Sequence, residues 1–317
     1  MPIRPLHLEP GDTLGIIAPA SAPPEPKIID RAVAALEKLG FKLRLAHNVH
    51  KRHGFLAGSD RERASDLMGM FTNRQVNAIL CVRGGYGAAR LLPLLDYDLI
   101  RRHPKIFVGY SDITSLHCAL LVKSNLISFH GPMLSSDFAR DDVPDFTLKS
   151  FLRTLTQPSP PGDIAQDYCR PTVKTLRRGV ARGQLVGGNL TMLCAALGTP
   201  WQPPFHNRIL FLEDLEEPPY RMDRMLTQLL NCGFLQQVAG IAIGINKGCE
   251  DPKARKSKEY RQTLEDVFRE RLLPLRVPLV TGLPFGHVPH NATLPVGAQA
   301  TLDATRGKLL LSEAAVG

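Results

Sequence analysis

One serine in this sequence stands where a buried strand turns sharply into a helix. The apolar run 105–108 predicts a strand, residues 109–112 (GYSD) follow it at once, and the apolar segment 115–122 predicts a helix. A serine at such a turn is lifted clear of the sheet, at a helix N-terminus whose free N–H groups can bind an oxyanion. Ser111 is therefore a candidate nucleophile with a strained backbone. An ordinary N-cap serine is the alternative, because residue 113 is Ile where a G-x-S-x-G turn has Gly.

A serine hydroxyl needs a base to take its proton, and the sequence offers ten histidines. His287 follows Gly286 shortly after a predicted strand at 277–280, and loops at strand ends commonly carry catalytic side chains. His290, three residues further on, is its rival. His117 and His130 fit structural roles, and His103 fits a position at the surface.

The base needs a third group to fix its tautomer and stabilise the imidazolium. Glu213 is the first polar residue after the strongly apolar strand predicted at 208–212, so it is the best-placed carboxylate. A solvated acidic turn is the alternative, because Glu216 and Glu217 follow. A Mg²⁺ or Ca²⁺ site is a further alternative, but nothing else in the sequence supplies the remaining oxygen ligands.

A glycine-rich loop, residues 83–87 (RGGYG), also follows a predicted strand and opens a helix. A dinucleotide-binding fingerprint would need Gly or Ala where the sequence has Arg90, so nucleotide binding is disfavoured. The same geometry suits an oxyanion hole, with the N–H of Gly85 turned toward the serine. Arg83 and Tyr110 are candidates for substrate binding.

The elements that must position these residues alternate between strand and helix, which predicts an α/β fold with a parallel sheet wound on both faces. A proline-rich stretch near residue 157 indicates a linker. We expect an α/β domain at 1–156 carrying the nucleophile, a linker at 157–180, and a domain at 181–317 carrying the glutamate and histidine. The predicted strands are 13–18, 41–45, 76–82, 105–108, 208–212, 238–245 and 277–280, and the predicted helices are 28–39, 60–71, 88–95, 115–122, 190–197, 222–230 and 259–272.

Composition excludes several other classes of protein. Of the 317 residues, 44% are hydrophobic and 22% charged, as in an average globular protein. No apolar run reaches the length of a membrane span, and the first residues lack a signal peptide's apolar core. The net charge is +9, but the densest basic stretch, 253–258, has no interleaved aromatics and predicts a solvated loop, so we expect no nucleic-acid partner.

Metal and cofactor chemistry is likewise not expected. The six cysteines form no C-x-x-C pair, and they fit reduced, mostly buried thiols in a cytoplasmic protein. Three histidines occur at a spacing of three residues in a basic stretch: His47, His50 and His53. They could bind one metal ion only if this stretch were helical, and the glycine at position 54 disfavours a helix. We therefore predict no bound metal and no cofactor.

Several separate motifs, in one order along nearly the whole chain, resemble a known family. The sequence resembles the LD-carboxypeptidases of the murein tetrapeptide type, serine peptidases whose family also contains microcin-immunity peptidases. The motifs that carry the resemblance are 17–21 (IAPAS), 82–88 (VRGGYGA), 109–112 (GYSD), 131–133 (GPM), 187–190 (GGNL), 212–214 (LED), 220–226 (YRMDRML), 286–287 (GH) and 294–297 (LPVG).

The resemblance implies a Ser–Glu–His triad of Ser111, Glu213 and His287, with an oxyanion hole formed by the N–H groups of Gly85 and Asp112. It implies a flavodoxin-like or amidotransferase-like N-terminal domain and a smaller β-rich C-terminal domain. The expected activity is cytoplasmic release of terminal D-alanine from murein tetrapeptides in peptidoglycan recycling, by a homodimer.

Two other functions remain open from the sequence. The first is an immunity-type activity on peptidyl or aminoacyl adenylates, which would need a platform for the nucleobase; Trp201 is the only tryptophan. The second is a catalytically inactive module that binds sugar or peptide. All three residue types of a triad are present, which argues against the inactive module.

Overall fold

The structure is a computed structural model of the chain, and it describes residues 1–25, 27–169, 171–250 and 262–317. The predicted α/β class is confirmed: a mainly parallel sheet in the first half is followed by a second sheet. The basic stretch 253–258 and the first residues of the helix predicted at 259–272 lie outside the described residues. The strands are β1 Thr13–Ile17, β2 Lys42–Leu45, β3 Ala78–Cys81, β4 Ile106–Gly109, β5 Ser128–His130, β6 Gly162–Asp163, β7 Lys174–Arg177, β8 Val180–Asn189, β9 Arg208–Glu213, β10 Gly240–Gly244, β11 Leu279–Leu283, β12 Leu294–Val296, β13 Gln299–Asp303 and β14 Lys308–Leu311.

Helices cover these sheets, and most begin where the sequence predicts. The N-terminus of the second helix is fixed by a capping box, in which Ser59 accepts from the N–H of Glu62 and the Glu62 carboxylate accepts from the N–H of Ser59. The helix predicted at 88–95 is instead a 3₁₀ segment, Ala88–Leu94; Pro93 lies inside it, and in an α-helix the proline ring would clash with the carbonyl four residues earlier. The helices are α1 Lys27–Lys38, α2 Asp60–Thr72, α3 Tyr97–Arg102, α4 Thr114–Ala119, α5 Asp145–Thr156, α6 Leu190–Ala196, α7 Pro219–Asn231 and α8 Leu264–Leu272.

The first sheet has the strand order β12-β5-β4-β3-β1-β2. Strands β1 to β5 are parallel, and β3 and β4 are buried along their whole length, as strands covered on both faces must be. The edge strand β12 comes from the far end of the chain and pairs antiparallel with β5, with Leu294 opposite His130. The C-terminal part of the chain therefore completes the sheet that carries Ser111.

The second sheet has the order β6-β14-β13-β8-β9-β10-β11-β7. Its central strands β8 to β11 are parallel, and antiparallel strands complete both sides. The expected linker 157–180 contains β6 and β7, which pair with β14 and β11, and the domain boundaries stay a prediction. Of the helices in the described residues, none is both long and apolar enough to cross a membrane.

The two halves approach closely at the end of β8. Gly188 has φ +139°, and a Cβ there would lie only 2.5 Å from Thr114 Oγ1 at the start of α4. The next residue, Asn189, donates its backbone N–H to the same Thr114 hydroxyl at 3.0 Å. Only glycine allows this approach, which brings the carboxyl ends of β8 and β9 beside the turn that carries Ser111.

Candidate active site

Ser111 lies at the sharp turn between β4 and α4, as the sequence predicts. Its φ is +65°, in the left-handed region that residues other than glycine rarely occupy, which confirms the expected strain. Such strain costs about 1–3 kcal/mol and persists only where the surroundings enforce it. The Ile at position 113 fits because Gly109 makes room for it: a Cβ on Gly109 would lie 2.9 Å from Ile113 Cγ2.

The glycine-rich loop after β3 packs directly against this turn. A Cβ on Gly84 would lie 2.9 Å from Ser111 Cβ and 3.2 Å from the backbone nitrogen of Asp112. Gly85 has φ +101° and faces Ser21, whose Oγ accepts the backbone N–H of Tyr86 at 3.1 Å. Sequence analysis identified Gly85 and missed the role of Gly84, because a close approach between distant segments leaves no local signal.

His287 and Glu213 form a buried pair. His287 Nδ1 lies 2.7 Å from Glu213 Oε2, and the glutamate side chain is fully buried. Because a buried carboxylate accepts, Nδ1 carries the proton and Nε2 is left as the acceptor. Gly286 permits the contact: its φ is +111°, and a Cβ there would lie 3.0 Å from Glu213 Oε2.

Charged groups around the imidazole set its protonation. Burial opposes the imidazolium, but the hydrogen bond and charge of Glu213, together with the charges of Asp214 and Asp137, raise the pKa of His287 above its ordinary value. The ring of Tyr110 packs edge-on against His287, with centroids 4.9 Å apart. The site therefore stabilises the protonated imidazole, which is the form that a general base takes after it has deprotonated a serine.

Asp137 is a second buried carboxyl group beside this pair. Burial raises its pKa to about 6, against the lowering effect of hydrogen bonds from the Met133 N–H and the Tyr110 hydroxyl. Burial also raises the pKa of Tyr110 well above its ordinary value, so the phenol stays protonated and donates. Sequence analysis missed Asp137, because it follows no apolar strand and belongs to no motif of recognised chemistry.

These groups line one cleft of about 480 Å³. Its walls come from the residues that follow β3, β4, β5, β8, β9, β10 and β11, so the carboxyl ends of parallel strands from both sheets meet there. The predicted site residues that line it are Arg83, Gly85, Tyr110, Ser111, Asp112 and His287, with Glu213 held behind His287. Two cations that the sequence did not single out also line it: Arg140 and Lys247.

The other candidate histidines lie elsewhere. His290 is exposed, packs against Phe146 and Tyr168, and does not belong to the lining of the cleft, which ends at Pro289. His117 is structural, as predicted: its two ring nitrogens bond Ser128 Oγ and the Gly109 carbonyl, each at 2.8 Å. In the described ranges, no group of three or more His, Cys, Asp or Glu side chains is arranged to hold a metal ion.

Ser111 and His287 line the same cleft without a hydrogen bond between them. Within the residues that the structure describes, Ser111 Oγ makes no hydrogen bond, although it and His287 both line the cleft. Catalytic hydrogen bonds are often long in unliganded enzymes and tighten when substrate binds. The arrangement supplies a strained serine and a buried histidine–carboxylate pair, which suits acyl transfer. The cleft lining carries both signs of charge: three cations, Arg83, Arg140 and Lys247, and five acidic residues, Asp112, Asp137, Asp214, Glu216 and Glu217.

Comparison with known proteins gives a consistent result. Models of the LD-carboxypeptidase N-terminal domain and C-terminal domain match residues 14–131 and 182–302. A probable murein peptide carboxypeptidase of Bacillus subtilis is 41% identical over 313 residues, covering 99% of this chain and 95% of that protein.

Two solved structures are also similar over nearly the whole chain. The muramoyltetrapeptide carboxypeptidase of Oxalobacter formigenes has a TM-score of 0.81 at 35% identity, covering 94% of this chain and 97% of that one. The microcin C7 self-immunity protein MccF has a TM-score of 0.88 at 26% identity, with complete coverage of both chains.

Proposed function

Since the chain belongs to the LD-carboxypeptidase family and is a serine-type carboxypeptidase, we propose that it releases the terminal D-alanine of murein tetrapeptides in peptidoglycan recycling. The scissile amide would join the L-centre of a diamino acid to that D-alanine. The observation that carries the proposal is the buried His287–Glu213 pair, whose histidine lines one cleft with a serine at φ +65°.

In the proposed mechanism, Ser111 Oγ attacks the carbonyl carbon of the diamino acid while His287 Nε2 takes the hydroxyl proton. Glu213 holds the Nδ1 proton and stabilises the imidazolium. The tetrahedral intermediate then breaks its C–N bond, and the imidazolium gives its proton to the leaving amine of D-alanine. Water, deprotonated by the same histidine, hydrolyses the acyl-serine and restores the enzyme.

The oxyanion of that intermediate would be held by the backbone N–H groups of Gly85 and Asp112. The proposal is supported by the contact of the Gly84 backbone with Ser111 and with the Asp112 nitrogen. The free carboxylate of D-alanine would be bound by cations of the cleft, for which Arg83, Arg140 and Lys247 are the candidates. Tyr110 would form part of the wall beside the leaving group.

The murein substrate is preferred to an adenylate because the sequence is more similar to the murein peptide carboxypeptidases than to the immunity protein. The test is incubation of purified, EDTA-treated protein with a tetrapeptide ending in D-alanine, its L-alanine epimer and an aminoacyl-adenylate analogue. We expect hydrolysis of the first substrate only, with release of D-alanine, and none with Ser111→Ala.

Two outcomes would contradict this proposal. Faster turnover of the adenylate would assign the immunity-type activity instead. Activity that EDTA abolishes and zinc restores would exclude the serine mechanism, because a serine–histidine relay needs no metal.

We also propose that the enzyme acts in the cytoplasm as a homodimer. The reducing compartment is supported by the cysteines, all six of which are free thiols. Fractionation of cells expressing the protein at native level, and light scattering of the purified enzyme, test the location and the dimer separately.

A further inference from the structure

Behind the His287–Glu213 pair lies a group of buried polar atoms that have no protein partner within the described residues. They are both ring nitrogens of His130, Glu213 Oε1, Asn291 Nδ2 and Thr293 Oγ1. All four side chains are at most 1% exposed. Native proteins leave few buried polar atoms unpaired, so a group of five in one region needs an explanation. We call these four residues the polar cluster.

Contacts with neighbouring residues link the four residues in two pairs. Gly286 touches Glu213 and donates its backbone N–H to Asn291 Oδ1 at 3.1 Å, which places Asn291 beside the glutamate. His130 and Thr293 lie on the adjacent chain segments of the β5–β12 pair: His130 is opposite Leu294, and a Cβ on Gly131 would lie 3.0 Å from Thr293 Oγ1.

Aromatic contacts join these two halves of the polar cluster. The His130 ring packs edge-on against Phe211, two residues before Glu213, with centroids 5.3 Å apart. It also packs against Phe285, which precedes Gly286, at 6.4 Å. The His130 ring also packs against Tyr110, a residue of the cleft wall, with centroids 5.8 Å apart, so His130 lies among the neighbours of Glu213 and beside Tyr110.

We propose that the polar cluster binds ordered water that donates to Glu213 Oε1, and that His130, Asn291 and Thr293 act through this water as positioning residues for Glu213. The inference rests on the proposed role of Glu213 in catalysis. A buried water usually makes about three hydrogen bonds, and the cluster offers donors and acceptors from three side chains besides the carboxylate. Burial holds the pKa of His130 well below its ordinary value, so its ring is neutral and supplies one donor and one acceptor.

The water would change the pKa of His287 through its hydrogen bond to the Glu213 carboxylate. Glu213 Oε2 already accepts from His287, so the water would donate to the other oxygen, Oε1. The His287–Glu213 pair carries a net negative charge when His287 is neutral and no net charge when His287 is protonated. A donor at Oε1 therefore stabilises the state with neutral His287 more. Loss of that donor therefore favours the protonated pair and raises the pKa of His287. The other titratable groups that face His287 or His130 are Asp214, Asp137, Tyr110 and His117, and all of them stay in place.

The first test is a crystal structure of the full chain at a resolution that shows ordered water. We expect density for at least one water within hydrogen-bond distance of Glu213 Oε1 and of one other atom of the polar cluster. A dry cluster would overturn the proposal. This outcome does not depend on any activity, so it is distinct from failure of the murein assignment.

The second test is titration of the His287 ring by NMR in Thr293→Val, which removes the hydroxyl and keeps the side-chain shape. We expect the pKa of His287 to rise by up to about one unit, because the hydrogen bond to the carboxylate is present in both protonation states and only its difference between them moves the pKa. A pKa that is unchanged or lower would overturn the proposal. His130→Phe, which keeps the ring contacts, should give a shift of the same sign.

The matched control is Thr175→Val, which removes a hydroxyl bonded to the Ala304 carbonyl outside the cleft. It should lower the melting temperature without moving the pKa of His287. A merely structural role of Thr293 would make the two variants behave alike. Because the titration needs no substrate, it distinguishes failure of this inference from failure of the proposed function.

Discussion

Replacement of the buried carboxylate by an amide, Glu213→Gln, tests the proposed triad most directly. The side chain keeps its size in a site with no exposure, but the negative charge 2.7 Å from His287 Nδ1 is lost. The amide can donate to Nδ1, and it then selects the tautomer whose Nε2 carries the proton. That tautomer cannot take a proton from Ser111, so the rate should fall while the fold is retained.

Two effects of Glu213→Gln can be given a size: the loss of kcat and the shift in the pKa of His287. The analogous carboxylate-to-amide change in a Ser–His–Asp triad lowers kcat by about 10⁴-fold, and we expect a loss of that order. Two unit charges about 4 Å apart interact by about 4 kcal/mol at an effective dielectric constant of 20, which corresponds to about three pKa units. Since burial alone lowers the pKa of His287 and Glu213 is the main group that raises it, the pKa should fall by about one to three units.

The assay is the pH dependence of kcat/KM for D-alanine release, because its acid limb reports the pKa of the base in the free enzyme. In the unmodified enzyme, activity should fall as the pH drops through a pKa above the ordinary value for histidine. In Glu213→Gln, the acid limb should move to lower pH. The control is Glu265→Gln in α8, whose carboxylate pairs with Lys174 and Arg269. A rate loss below tenfold, or an acid limb that moves to higher pH, would refute the role of Glu213.

Three further predictions concern single residues. His287→Ala should lower kcat by about 10⁴-fold or more, whereas exposed His290→Ala should cost far less; steady-state kinetics that give equal losses would show that the base is misassigned. Gly84→Ala should abolish D-alanine release in the steady-state assay, because its Cβ would lie 2.9 Å from that of the proposed nucleophile and displace it; activity equal to wild type would refute this. Gly188→Ala should instead lower the free energy of unfolding by about 2 kcal/mol or more in urea denaturation, since φ is +139° and the added Cβ meets the start of α4; a stability equal to wild type would refute this packing.

The strands that were not predicted from the sequence include a glycine-rich strand, β8, and strands close to the C-terminus, such as β12. Strand β8 (VARGQLVGGN) was not predicted as a strand, because glycine is depleted in strands. Its glycines are required by tertiary contacts: a Cβ on Gly187 would lie 1.9 Å from the Phe211 carbonyl oxygen. Strand β12 was hidden in a glycine- and proline-rich end, and it forms only because β5 offers an edge.

The sequence by itself determined the local units of this protein. Apolar runs that end in a polar residue identified Ser111 and Glu213 as side chains at strand ends, because the period and length of an apolar run dictate a buried strand. Only the tertiary structure decided which histidine meets that glutamate, since His287 and Glu213 are separated by 74 residues and their contact depends on Gly286. The same holds for the contact of Gly84 with the serine, for Asp137 and for the polar cluster. Local preferences act over a few residues, whereas these sites arise where two sheets bring the ends of distant strands into one cleft.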